Sequence, residues 1–114
     1  MDDFIPLIDA HVIPGTNTLN TNTVAMGDCT ALAVAITAIS GTSLSSARLT
    51  GSNDDASFKQ ALSNNGVGTP LTLDLPSIPG TAITVVTKIT CAFVKVQVSG
   101  TGVMLSIAVK PIKF

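Results

Sequence analysis

Thr90 to Ile112 reads TCAFVKVQVSGTGVMLSIAVKPI. Ala92, Val94, Val96 and Val98 share one parity, and Lys95 and Gln97 share the other. Beyond Ser99-Gly100-Thr101-Gly102, the residues Val103, Leu105, Ile107 and Val109 again alternate, now with Ser106 and Lys110 opposite them. Apolar residues at every second position, with a polar counter-face, are the mark of a half-buried strand. A short Gly-containing break between two such runs is a hairpin signal. The sequence therefore predicts two closing strands joined by a tight turn, with the rest of the chain covering their apolar face.

Upstream, Ala31 to Ser40 carries Leu32, Val34 and Ile36 on one parity and Ala31, Ala33 and Ala35 on the other. Its β-branched residues and flanking glycines, Gly27 and Gly41, favour a strand over a helix. Its small outer face would let something pack closely against it. Leu44 to Ser52 places Ala47 and Leu49 inward and Arg48 and Thr50 outward. Leu71, Leu73 and Leu75 alternate with Thr72 and Asp74, and Ala82 to Thr87 (AITVVT) is a further strand. Thr16 to Thr23 suits a turn leading into a short strand through Leu19, then Val24 and Met26.

Phe58, Ala61 and Leu62 form a shorter apolar segment between polar loops, and Gly66 and Gly68 suit left-handed positions. About eight short strands with turn signals every 8 to 12 residues predict an all-β, two-sheet antiparallel sandwich. The domain itself is expected over residues 15–114. Residues 1–14, interrupted by Pro6 and ended by Pro14-Gly15, are expected as an edge strand or extended arm. Phe4, Ile5, Leu7 and Ile8 would each cost about 1.5–3 kcal/mol to leave in water if they can be buried. They either close one end of the sandwich or dock on another subunit.

Charged residues are 11% of the 114-residue chain, against about 25% in an ordinary soluble domain. Such a surface has little charge to keep molecules apart, and suits one covered by neighbours. The net charge of −1 and scattered Lys and Arg argue against a nucleic-acid partner. The longest low-polarity run, Ala31 to Ile39, is far short of the roughly 20 residues that span a bilayer. The N-terminus has neither the basic start nor the apolar run of a signal peptide, so synthesis and folding in a cytoplasm are expected.

No catalytic, cofactor or metal constellation stands out. His11 is the only histidine and has no recognisable nucleophile setting, so it reads as a surface or subunit-contact residue. Asn53-Asp54-Asp55 lacks the alternate acidic spacing of an EF-hand loop and reads as a turn. Cys29 and Cys91 are the only cysteines, and no zinc site can be built from them. In a reducing compartment both are expected as free thiols, although pairing of their strands would bring them close. Phe93 lies on the parity of Lys95 and Gln97, where it could stack on a sugar, meet a partner or be covered by a loop or the N-terminal arm.

Three segments together carry a resemblance: CTALAVAITAISGTS at 29–43, SARLTGSNDDASFKQA at 46–61 and FVKVQVSGTGVMLSIAVKPI at 93–112. In this order they resemble small structural proteins of tailed bacteriophages. The likeness covers roughly residues 24–112 and is one of strands and turns. The chain departs from the pattern with Phe93 where Tyr is usual, and with Asp55 where Gly commonly follows the Asn-Asp.

The resemblance implies a β-sandwich, often a jelly roll, serving as a virion component with no cofactor and no active site. It implies most of all a capsid decoration (cement) protein, made in the host cytoplasm, that sits on the phage head as a trimer. Such a protein clamps adjacent subunits of the major capsid protein. Phe4, Ile5, Leu7, Ile8, His11 and Phe93 are then the candidate subunit or capsid contacts. A tail, neck or fibre-base component and a carbohydrate-binding module are the alternatives. The latter is disfavoured because the chain has no Trp or Tyr.

Overall fold

The computed structural model describes residues 4–52, 60–61, 71–86, 89 and 92–113. Ten strands run through them: β1 (Ile5–Val12), β2 (Thr16–Asn20), β3 (Val24–Ala25), β4 (Ala31–Ser40), β5 (Ser43–Ser52), β6 (Gln60–Ala61), β7 (Leu71–Thr72), β8 (Gly80–Val86), β9 (Phe93–Thr101) and β10 (Met104–Ile112). No helix occurs among the described residues. One sheet has the order β1-β10-β4-β8, and the other β2-β9-β5-β6, with β3 also on β9 and β7 also on β5. All of these pairings are antiparallel.

Since β2 and β3 share one neighbour, as do β6 and β7, the strands fill eight positions along the chain. Their order is first-eighth-third-sixth in one sheet and second-seventh-fourth-fifth in the other. This is the double Greek-key winding of a jelly roll. Apart from the step from β5 to β6, every step from one position to the next crosses between sheets.

That winding corrects the reading of the closing strands. β9 and β10 are not a hairpin: β9 pairs with β2, β3 and β5, whereas β10 pairs with β1 and β4. Their alternation is real, but it reports which face is buried and not which strand is the neighbour. Val94, Val96 and Val98 point inward from one sheet, while Leu105, Ile107 and Val109 point inward from the other, and all six have no exposed surface. Thr101 belongs to β9, so the crossing is shorter than the expected four-residue turn.

The core between the sheets is aliphatic. Leu32, Val34 and Ile36 of β4 join the β10 set against Ala47 and Leu49 of β5 and the valines of β9. Ile13 and Val103 close one end, and Met26 and Ile89 the other, where Thr30 links β4 to its neighbours. Each fully buried Leu, Ile or Val contributes about 1.5–3 kcal/mol. Leu73 is buried, with its N–H donated to the Ala47 carbonyl, but the run expected from Leu71 to Leu75 is a strand only over Leu71–Thr72. Leu75 is exposed.

Residues 5–12 take the edge-strand form of the two offered by the sequence. β1 lies on β10, with register shifts on either side of Ile8 and a positive φ at Ala10. An edge tolerates Pro6 because its missing donor need not face a second strand. The Ala10 N–H is donated to the Ser106 hydroxyl at 2.9 Å.

Three of the crossings meet at one corner. Ile13 N–H donates to the Val103 carbonyl, and Gly102 N–H donates to the Gly15 carbonyl. The β4–β5 crossing presses Gly41 onto the same point. A Cβ on Gly41 would fall on the Gly102 carbonyl oxygen and 2.5 Å from the Val103 Cα, at a φ of +132°. At the interruption between β2 and β3, Thr21 is buried, and its hydroxyl accepts the Val96 N–H at 3.0 Å. The same hydroxyl donates to the Asn22 carbonyl, so this buried side chain both gives and accepts a hydrogen bond.

Two outcomes follow in urea unfolding. Gly41→Ala should cost more than about 2 kcal/mol, since backbone must move as well as strain be borne. Gly15→Ala, also at positive φ but in open space, should cost only about 1–2 kcal/mol. Equal costs would contradict the interlocked corner. Thr21→Val should lose about 1–3 kcal/mol by stranding the Val96 N–H, and Thr21→Ser should recover most of it.

Candidate functional site

Pairing register assigns each residue to a face. On the outside of the β2-β9-β5-β6 sheet, Thr18 stands beside Ser99, and Asn20 beside Gln97 and then Arg48 and Thr72. Lys95 stands beside Thr50. Thr18 and Ser99 hydroxyls lie 2.9 Å apart, and Gln97 Nε2 donates to Asn20 Oδ1 at 3.1 Å. These paired polar side chains suit a face turned to water, as one side of an antiparallel sheet commonly is.

The outside of the β1-β10-β4-β8 sheet is different. Pro6, Ala108, Ala35 and Ile83 form one row across all four strands, and Lys110, Ala33 and Val85 form the next. Ser106, Thr37 and Thr81 form the row on the other side, with the Thr37 and Thr81 hydroxyls 2.9 Å apart. Val12 and Met104 lie beyond it, near Ile39, the extra residue at a register shift. Among the described residues Lys110 is the charge on this face, with Asp9 at the β1 margin beside Ser106.

Ala33 and Ala35 retain only 5% and 2% of their exposure although they point outward. They form a low floor, with Ala108 beside them, and larger neighbours shade it. Ile83 and Val85 stand at its β8 side, 49% and 55% exposed. Four strands about 4.8 Å apart and seven residues long give a face on the order of 400 Å². The Ser106, Thr37 and Thr81 row and Lys110 take part of it, and the exposed apolar share is carried mainly by Ile83 and Val85, with Pro6 and Ala108 in the same rows. Apolar side chains left exposed in a group mark an interaction surface. The alanines themselves are already covered, so a partner would meet Ile83 and Val85 first, and one lysine is little charge to desolvate.

The residues expected from the sequence in contacts do not form one patch. Phe4 is half-buried just before β1. Leu7 and Ile8 are half-buried against this chain's own core. Ile5 and His11 are exposed on β1, opposite Val109 and Leu105. Phe93 is half-buried on the opposite sheet, beside Ala25. Ile83 and Val85 are not singled out by the sequence. The signal available was that AITVVT has apolar residues on both parities, as a strand with two dry faces would.

Asn53-Asp54-Asp55, Phe58, Gly66, Gly68 and Cys91 lie outside the described residues. Cys29 is a free thiol, half-buried against the core. No group of three or more His, Cys, Asp or Glu is brought together among the described residues. No helix among them is long and apolar enough to cross a membrane.

No protein-family model matches this chain, and no curated protein matches it.

Proposed function

We propose that this chain is a virion structural protein: a decoration (cement) protein that binds the outside of a phage head and holds neighbouring major capsid subunits together. The observation that carries this reading is the apolar, nearly uncharged outer face of the β1-β10-β4-β8 sheet. It contrasts with the polar outer face of the other sheet. One side of the molecule is suited to being covered and the other to facing water. The likeness of residues 24–112 to phage structural proteins supplies the class of partner, and the jelly-roll winding is the fold that this likeness implies.

With about half of that face apolar, on the order of 200 Å², its burial is worth roughly 5 kcal/mol before costs, at about 25 cal/mol per Å². Loss of rigid-body freedom alone costs about 4–15 kcal/mol. A single copy would therefore hold weakly. A homo-oligomer on a repeating shell offers several such contacts at once and converts weak contacts into lasting ones. Rigidity helps here. The aliphatic core and short crossings fix the face, so little order has to be gained on binding.

Particles purified from cells carrying the gene should contain the chain in many copies, with its density on the head surface. Density on the tail or neck would favour that other structural role, and absence from particles would sink the virion reading. In add-back to heads that lack it, Ala108→Glu should weaken binding at least ~10-fold, because a carboxylate would be buried against an apolar partner. Arg48→Glu, on the polar face, should bind as the parent does. The reverse pattern would mean that the wrong face was chosen.

A further inference from the structure

The two edges of the β1-β10-β4-β8 sheet are built differently. β1 is guarded: it carries Pro6 and Asp9, a positive φ at Ala10 and two register shifts. These are the devices by which a sheet edge refuses another strand. β8 has none of them. Its residues, Gly80-Thr81-Ala82-Ile83-Thr84-Val85-Val86, include no charge and no proline. It keeps unbroken register with β4 from Val86 opposite Leu32 to Gly80 opposite Ala38. It ends the sheet among the described residues, with Ile83 and Val85 about half exposed. A straight, uncharged, β-branched edge is a template for strand addition.

We propose that β8 pairs with β8 of a second copy of this chain, antiparallel across a two-fold axis, so that the four-stranded sheet continues into that of the other molecule. A second copy is the occupant that the chemistry favours. The strand itself carries no charge, the nearest acidic residue among the described ones being Asp74, whose N–H is donated to the Thr84 hydroxyl at 2.9 Å, and an isologous contact needs only self-complementarity. The register centred on Thr84 sets Ile83 of each copy beside Val85 of the other, so the outer face stays apolar across the join. Pairing β8 with β1 of the next copy would open a ring or a filament, but β1 is the guarded edge. The pairing does not depend on a capsid partner, and it departs from the three-fold arrangement that the phage resemblance implies.

Size sets the strength. In this register Ala82 to Val86 of the two strands overlap, five residues that make a join roughly 17 Å long and about 10 Å thick, on the order of 170 Å² a side. A stable pair needs about 800 Å² a side, so the expected dissociation constant is on the order of 10–1,000 µM. The consequence is geometric: two small apolar faces become one continuous face of about twice the area. On a crowded surface, where effective concentration is high, such a weak pair would persist.

Sedimentation velocity on the intact chain, from micromolar to millimolar, reads this directly. The expected result is a monomer–dimer equilibrium, with β8 amides gaining protection from hydrogen exchange as concentration rises. A chain carrying both Ile83→Lys and Val85→Lys should stay monomeric at ten times the parent's dissociation constant, as should one carrying Ile83→Glu and Val85→Glu. An equimolar mixture of the two should dimerise. That rescue shows that the variants fold and that the strands meet. A parent that remains monomeric at millimolar concentration, forms a trimer, or dimerises unchanged with both lysines present would overturn the pairing. None of these results bears on whether the chain is found in phage particles.

Discussion

The corner at Gly15, Gly41 and Gly102 is the constraint on which the molecule depends. Two hydrogen bonds clip the β1–β2 crossing to the β9–β10 crossing. The β4–β5 crossing packs against them so closely that only a hydrogen fits at Gly41. Together the three crossings join six strands from two sheets. Moving any one of them would shift register in both sheets at once. A one-residue slip would turn a strand's core set outward. The corner therefore fixes which alternate residues are buried along β4, β5, β9 and β10, and so which are left to form the outer faces.

With register fixed this way, the core needs no large or specially shaped side chain. Val, Leu and Ile from the two sheets interdigitate, and neither Phe4 nor Phe93 belongs to the buried core. The same register puts the alanines of β4 outside. These alanines are covered by their neighbours, Ala33 and Ala35 keeping 5% and 2% of their exposure, so the apolar character of the face is presented by Ile83 and Val85 beside them. The polar sheet opposite takes the other course, with Thr, Ser, Asn and Gln bonded to one another. The exposed ion pair between Lys113 and Asp28, 3.8 Å apart, adds little to either.

Much of this was written in the sequence, and the missing part has a clear physical cause. Burial parity was readable because a strand's period of two holds whatever its neighbours are, so Val34, Leu49, Val96 and Ile107 declared themselves. The small outer face of β4 was readable for the same reason. Strand partnership was not. A hairpin and a crossing between sheets both show two alternating runs around a glycine. What separates them at Gly102 is contact with Gly15 and Gly41, residues 87 and 61 positions away in the chain. Pro6 announced an edge, but a proline cannot say whether that edge stays on its own domain. The site was half readable: the alanines gave the floor, while Ile83 and Val85 at its side looked like ordinary strand residues.

The unequal edges bear on why such a surface can exist without indiscriminate association. An apolar face beside an open edge invites sheet stacking and strand addition together, a combination that soluble chains usually avoid. Here the two liabilities sit on one sheet, and its other edge, β1, is closed to new strands by proline, bulges and an aspartate. Growth through β8 alone ends after one step, since a two-fold contact consumes both open edges. A filament would need β1 as well. The placement of Pro6 and Asp9 thus does for assembly what Gly41 does for folding: it removes the alternatives, so that a weakly charged exterior meets few partners rather than many.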